Sequence, residues 1–166
     1  IVSDFVEKKI HLINDSNWTS MNWKQINEMI NSNLVHFAPH SSTHRKLNNN
    51  LNNVQIENEI KNSISKIKLK TNQKSYVFAY PFGQDHDINT YCFKMLNKYK
   101  IKYAFSTIFS SKQNFENKYL LNRIVISSKY DLKIIKKLLK GEYDYLYYIQ
   151  KIKSYFLNVY YFKKFF

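Results

Sequence analysis

Glycine, proline and cysteine are scarce in this sequence of 166 residues. It has two glycines, two prolines and a single cysteine, Cys92. One cysteine excludes an intramolecular disulfide and any zinc site built from several cysteines. No run of about 18 apolar residues occurs, which excludes a membrane-spanning helix. Residues 1–9 lack the pattern of a signal peptide, and the compartment stays open between cytoplasm and cell envelope.

Arginine is scarce as well, which affects the interpretation of the positive charge. The formal net charge is +14, from 26 Lys and Arg against 12 Asp and Glu. Only Arg45 and Arg123 are arginines, whereas phosphate-binding surfaces usually use the planar guanidinium fork. Lysine charge is unspecific, and the accompanying Asn, Ile, Phe and Tyr indicate compositional drift. We therefore expect no nucleic-acid partner and rank a basic nucleic-acid or membrane-surface protein as the least favoured function.

Short apolar runs alternate with helical stripes along a chain long enough for one domain with a core. Strands are predicted over 1–6, 34–38, 76–79, 103–106 and 121–126, and helices over 22–30, 54–67, 88–99 and 132–139. Glu57 and Glu59 stand near the start of the second helix, where carboxylates favour the helix dipole. Asp87 is the expected cap of the third helix. The alternation predicts an α/β protein with a largely parallel sheet, whose site lies at the carboxyl ends of strands.

Two histidines follow the predicted strand 34–38. The loop reads Pro39-His40-Ser41-Ser42-Thr43-His44. Imidazoles four residues apart can converge on one metal ion if the turn between them is helical. Neutral imidazole suits zinc and other borderline divalent ions. Such a pair is often just exposed, but its place after a strand, among hydroxyl side chains, predicts that His40 and His44 bind a metal.

The loop after the predicted strand 76–79 holds an aromatic side chain on a rigid turn. It reads Tyr80-Pro81-Phe82-Gly83. Proline fixes one backbone angle and glycine permits positive φ, so Phe82 between them has a defined position. The alternative is an ordinary strand-to-helix turn that buries Phe82.

Taken together and in this order, the two loops resemble the polysaccharide deacetylase (NodB-homology) family. The family's HSxxH motif matches His40 to His44, and its later Pro-aromatic-Gly motif matches Pro81 to Gly83. Residues 103–107 and 121–124 are similar to later strands of the family. The resemblance covers most of residues 1–140 and implies a deacetylase-like domain there. The implied fold is a distorted (β/α) barrel, followed by an aromatic, basic helical tail over 141–166.

The resemblance also implies a reaction and a site. The reaction is metal-dependent N-deacetylation of a bacterial surface polysaccharide or its amino-sugar precursor, with an N-acetylated poly- or oligosaccharide as substrate. The expected cofactor is a divalent metal, zinc in the first place. His40 and His44 would be metal ligands, and Tyr80, Pro81, Phe82 and Gly83 would line the sugar pocket. For the tail, peripheral membrane contact stands beside packing against the flank of the barrel.

Three departures from the family pattern limit these implications. The Asp-Asp motif, which supplies the general base and the third metal ligand, has no match, so we expect a barrel lacking its first strand or two. Ala79 stands where the family usually has an arginine. Arg123 could replace that arginine or orient a carboxylate, and surface pairing of Arg123 is weighted equally. No histidine follows His86 to act as the family's general acid. The alternative function is therefore a non-catalytic remnant or a carbohydrate-binding protein.

Overall fold

The computed structural model describes residues 21–153 and residue 155. The strand predicted over 1–6 lies outside these residues. The main elements are α1 (Trp23–Asn31), α2 (Asn53–Thr71), β1 (Val77–Ala79), α3 (Tyr91–Lys98), β2 (Tyr103–Phe105) and α4 (Leu132–Leu139). Short 3-10 helices cover Asp85–Asp87 and Phe115–Asn117, and residues 146–153 are helical. The mixed α/β class expected from the sequence is confirmed.

Side-chain caps fix where three of the helices begin. The side chains of Asn22 and Asn52 each accept a hydrogen bond from the backbone N–H three residues later, and their own backbone N–H groups donate to the glutamine side chain at that position, which completes a capping box. Asp131 accepts from the backbone N–H of Ile134 and caps α4. These caps satisfy N–H groups that the first turn of a helix leaves without partners. They explain why α1, α2 and α4 begin within a residue or two of the predicted starts.

The sheet is short and parallel. β1 and β2 pair with Phe78 opposite Ala104. On the other side of β1, the backbone N–H of Ala79 donates to the carbonyl of Pro39 at 3.2 Å. On the other side of β2, Phe105 pairs with Leu121 in an isolated parallel bridge. Four chain segments therefore lie side by side, and the loops that follow two of them meet at one end of the sheet.

Besides these bonds to β1 and β2, the outer two segments are bonded by glutamine side chains where a further strand would lie. The Gln73 side chain accepts from the Phe37 N–H at 2.9 Å and donates to the Val35 carbonyl at 3.4 Å. The Gln113 side chain binds both backbone groups of Asn122, at 2.8 and 2.9 Å. An amide side chain can replace a strand neighbour because it carries one donor group and one acceptor. The strands predicted over 34–38 and 121–126 are for this reason extended segments without a regular ladder.

The hydrophobic core lies between α2, α3 and the two strands. Its fully buried members include Ile56, Ile60, Phe78, Tyr80, Leu96 and Ala104. Cys92 belongs to the same cluster, as expected from its place on an apolar stripe, and burial raises the pKa of its thiol to about 12. The prediction that Asp87 caps α3 is wrong. That side chain is buried and forms an ion pair with Lys46 at 2.7 Å, and α3 begins at Tyr91.

The described part of the tail packs against the loop after β2. The Asp144 carboxylate accepts from the backbone N–H and the hydroxyl of Ser111, both at 2.8 Å. The Gln150 side chain accepts from the Phe109 N–H at 2.7 Å and donates to the Thr107 carbonyl at 3.2 Å. The aromatic side chains of residues 156–166 lie outside the described residues. Within the described part of the chain, no helix is long and apolar enough to cross a membrane.

Candidate active site

His40 and His44 lie against each other. Their ring centroids are 5.0 Å apart in an edge-to-face arrangement. Nδ1 of His40 lies 2.7 Å from the carbonyl oxygen of Ala79. A carbonyl can only accept a hydrogen bond, so Nδ1 carries the proton and Nε2 keeps its lone pair. That is the tautomer that a metal ligand needs.

The surroundings of His40 favour its neutral form. Burial lowers the pKa of His40 below its ordinary value, and the bond to the Ala79 carbonyl raises it in part. Electrostatic repulsion from His44 and Arg123 lowers the pKa further. A neutral imidazole is the form that coordinates a metal. The Ala79 carbonyl therefore orients His40, and burial with the nearby positive groups keeps its imidazole neutral.

The loop between the two histidines is not the helical turn that the sequence interpretation assumed. Ser41 and His44 adopt left-handed conformations, with φ of 62° and 56°. Glu59 of α2 clamps the loop. Its carboxylate accepts from the backbone N–H groups of Ser42 and Thr43 at 2.9 and 2.8 Å and from the Thr43 hydroxyl at 2.6 Å.

The sequence interpretation missed this role of Glu59, which it had assigned to the helix dipole. A signal for it exists in the sequence. Glu59 stands three residues after Ile56 and four before Ser63, two buried positions of α2, so its side chain lies on the flank of the helix that faces the body of the protein. An acidic side chain on an inward face needs donors, and the loop N–H groups supply them.

The turn at Pro81, Phe82 and Gly83 meets the histidine loop. The Phe82 ring centroid lies 5.3 Å from that of His44. Gly83 has φ of 77°, and a Cβ at this position would stand 2.8 Å from the backbone nitrogen of Thr107. The Gly83 carbonyl accepts from that same N–H at 2.8 Å, and the Thr107 hydroxyl donates to the Phe82 carbonyl. Only glycine fits so close to the neighbouring backbone.

Of the four residues predicted to line a sugar pocket, Phe82 exposes its side chain and the others do not. Phe82 is 51% exposed, which excludes the alternative of a buried Phe82. Tyr80 is fully buried with its ring 5.4 Å from that of Phe78, so its side chain lies in the core and only its backbone reaches this turn. Residues two apart on a strand face the same side, here the core. Pro81 and Gly83 are buried too and shape the turn.

Arg123 reaches this end of the sheet from the segment beyond β2. Its Nε donates to the Ser106 carbonyl at 2.5 Å and its Nη2 to the Tyr80 carbonyl at 3.4 Å. The side chain is half-buried, and burial lowers its pKa. No carboxylate of the described residues forms an ion pair with it. Surface pairing, the alternative weighed for Arg123, is therefore not found within the described part of the chain.

The two loops and the strands that carry them also match a known family in sequence. A model of the family described as Polysaccharide deacetylase matches residues 8–104, more than half of the chain. The chain belongs to the polysaccharide deacetylase family. The match includes the histidine loop and the Pro81 turn, so the resemblance noted from the two motifs is confirmed. Among curated protein sequences, no significant relative of this chain is found.

Several solved structures share the fold. The deacetylase PplD of Streptococcus pyogenes, in complex with acetate, superposes with a TM-score of 0.62 at 20% identity, over 75% of this chain and 53% of that one. A de-N-acetylase from Aggregatibacter actinomycetemcomitans gives 0.58 at 18% identity, over 83% and 63%. IcaB from Ammonifex degensii gives 0.59 at 14% identity, over 75% and 56%. The chain thus spans about half to three fifths of the length of these deacetylases.

The side chains present fit a metal ion as two of its ligands. His40 and His44 offer imidazole nitrogen at one place, with the His40 tautomer already fixed. Within residues 21–153 and 155, no third His, Cys, Asp or Glu side chain joins them in a group of three that could hold a metal ion. Asp87 is already paired with Lys46, whose ammonium also lies 5.2 Å from the Phe82 ring centroid. Asp4 lies outside the described residues.

Proposed function

We propose that this polysaccharide deacetylase chain serves metal-dependent N-deacetylation of a bacterial surface polysaccharide or its amino-sugar precursor. The reaction would hydrolyse an acetamide and leave acetate and an amino sugar. The observation that carries the proposal is the His40 ring, oriented by Ala79 with Nε2 available beside His44 and the exposed Phe82. The names of the neighbours, a deacetylase with acetate and a de-N-acetylase, support this substrate class.

Each side chain of the site would have a distinct task. His40 and His44 would hold the ion, and zinc suits imidazole nitrogen. A bound divalent ion would supply Lewis-acid polarisation of the acetamide carbonyl. Glu59 keeps the histidine loop in the shape that brings the two rings together. Phe82 offers an exposed apolar face on which a sugar ring could stack.

Arg123 would add a positive charge next to the histidines. It donates to the carbonyl of Tyr80, the residue after Ala79, and Ala79 stands where the family usually has an arginine. Arg123 would thus replace that arginine from a different segment of the chain. Its planar fork can bind a carboxylate in two hydrogen bonds, and we infer that it orients the carboxylate that removes a proton from the attacking water.

A second candidate is a carbohydrate-binding protein without catalysis. It is favoured by one observation: the described residues bring two imidazoles together but no carboxylate that could act as base or third ligand. Such a protein would keep the metal or the sugar contact without releasing acetate.

The test combines zinc titration with an acetate assay on an N-acetylglucosamine oligomer. The variants are His40→Ala and His44→Ala, and the control is His36→Ala, an exposed histidine on the preceding segment. We expect the two site variants to lose zinc binding at least tenfold, because each removes a ligand, and to lose any acetate release. Zinc bound normally without acetate release would favour the second candidate. Equal zinc affinity in all three variants would refute the metal site.

A further inference from the structure

The helical residues 146–153 have two faces of different character. Leu146, Tyr147 and Gln150 are half-buried and point toward the protein. Gln150 anchors this face through its two hydrogen bonds to Phe109 and Thr107. One face of the helix is thereby fixed on the domain, and its opposite face is held outward.

The outward face is an apolar stripe. It consists of Tyr148, Ile149 and Ile152, which are 66%, 44% and 58% exposed, together with Tyr145 in the turn directly before the helix, which is 56% exposed. The spacings of three, one and three residues place them on one side of a helix. Single exposed apolar residues are ordinary, but four large ones side by side on an anchored helix mark a contact surface.

The charge around the stripe has one sign. From Tyr145 to Phe166 the sequence contains four lysines and no aspartate or glutamate. Helical spacing puts Lys151 on one edge of the stripe and Lys153 on the other, and both are exposed. Lysine stems can lie along apolar surface while their ammonium groups extend to an anionic partner.

We propose that the stripe docks on an anionic lipid bilayer, with the helix lying in the plane of the interface. An apolar face with Tyr and Ile, edged by lysines, has the composition of a helix that inserts its apolar side between headgroups. A second copy of the chain fits less well, because two such faces would bring lysines together with no carboxylate of either stripe to pair with them. Nucleic acid fits less well because isoleucine side chains recognise neither phosphate nor stacked bases.

The docked helix would be connected to the candidate site through one residue. The Thr107 carbonyl accepts from the Gln150 side chain at 3.2 Å and from the Gln84 side chain at 3.2 Å. The Thr107 N–H donates to Gly83 of the turn that presents Phe82. A bilayer bound at the stripe would hold the Phe82 turn at a fixed distance from the lipid surface. Docking itself does not depend on metal binding or catalysis.

The first test measures co-flotation of the full chain with two kinds of vesicle. One kind is phosphatidylcholine alone, and the other is phosphatidylcholine mixed with phosphatidylglycerol. The stripe variant is Tyr148→Ser with Ile149→Ser and Ile152→Ser. Its control replaces three apolar residues that are at least as exposed elsewhere, Leu34, Val54 and Leu69 at 89%, 68% and 81%, by serine.

We expect the chain to bind the anionic vesicles and the stripe variant to partition at least about tenfold less, since three apolar side chains no longer leave water. The control variant should bind like the unchanged chain. All variants keep residues 154–166, so any contribution of that segment is common to them. Labelling of the buried Cys92 thiol, unchanged across the variants, would show that the core is intact.

The second test separates local from overall charge. Lys151→Glu with Lys153→Glu changes the net charge as much as Lys61→Glu with Lys68→Glu, two exposed lysines of α2. Each lysine near an anionic surface strengthens binding roughly fivefold, so only the first pair should weaken binding tenfold or more.

Several outcomes would overturn the proposal. These are no binding to anionic vesicles, equal binding to both vesicle types, or equal losses in the variants and their controls. A change of oligomeric state in the stripe variant, measured by sedimentation velocity, would instead assign the stripe to a second copy. If the stripe variant lost binding to an acidic protein while its vesicle binding was unaffected, the stripe would be assigned to a protein partner.

Discussion

At the residue scale, the histidine pair depends on three polar contacts that the loop itself does not contain. The Ala79 carbonyl sets the tautomer of His40, Arg123 adds to burial in disfavouring its protonation, and Glu59 holds the backbone between the two rings. Such outer contacts orient metal ligands and are often worth 10–100-fold in metal affinity. The spacing of His40 and His44 was enough to predict a pair. The helical period of α2 places Glu59 on an inward flank, but only the folded structure shows that it binds the histidine loop.

The first prediction concerns that clamp. Glu59→Ala removes three hydrogen bonds from the loop, so the two imidazoles should separate and zinc affinity should fall about tenfold or more. The matched control is Glu57→Ala, which removes a carboxylate of the same helix that binds Lys98 and Tyr99 instead. Isothermal titration with zinc measures both. If the two variants bind zinc equally, Glu59 does not position the ligands.

At the element scale, the helices followed from the sequence better than the strands did. The prediction for α4 matches Leu132–Leu139 because its apolar period and its Asp131 cap are local signals. The segments at 34–38 and 121–126 are apolar enough to be strands, yet Gln73 and Gln113 take the backbone bonds that a neighbouring strand would make. No local pattern shows which glutamine will reach which segment, since both contacts join distant parts of the chain.

The turn between β1 and the 3-10 helix Asp85–Asp87 supplies the second prediction. Gly83→Ala should lower the free energy of unfolding by about 2 kcal/mol or more, from left-handed strain and from a Cβ 2.8 Å from the Thr107 nitrogen. Gly141→Ala is the control with nearly the same φ, 78°, but its nearest atom is the Ser111 hydroxyl oxygen at 2.6 Å. A side chain can rotate away and a backbone cannot.

Urea unfolding of both variants measures the difference. We expect Gly83→Ala to be less stable than Gly141→Ala by at least about 1 kcal/mol, because only the first must displace backbone. The displaced turn would also move Phe82 away from His44. Equal losses would mean that φ alone, and not the contact with Thr107, requires glycine at position 83.

At the scale of the whole molecule, the site forms where three separate segments end together. The segment at Pro39, β1 and the segment beyond β2 bring the histidine loop, the Phe82 turn and Arg123 to one end of the sheet. The sequence order of the two motifs predicted this meeting through the rule for parallel sheets. The burial of Tyr80 was not foreseen, because the loop pattern does not say on which side of the strand the core lies.

The last prediction concerns the chain of residues 1–166 by itself. Catalytic zinc normally has three protein ligands and a water, and the described residues bring together two imidazoles and no carboxylate. General base catalysis is typically worth 10²–10⁴ in rate. We therefore expect weak zinc binding and an acetate release rate on an N-acetylglucosamine oligomer about 10²–10⁴ below that of the de-N-acetylase from Aggregatibacter actinomycetemcomitans, assayed side by side.

Asp4→Asn is the variant that decides this prediction. Asp4 lies outside the described residues, and its carboxylate is a candidate for the missing third ligand. With two histidines as the whole ligand set, Asp4→Asn should leave zinc affinity and the low acetate rate unchanged. A tenfold loss of zinc affinity in Asp4→Asn would make Asp4 the third ligand. Acetate release at the benchmark rate by the unchanged chain, abolished in His40→Ala, would show that residues 1–166 already contain a complete catalytic set.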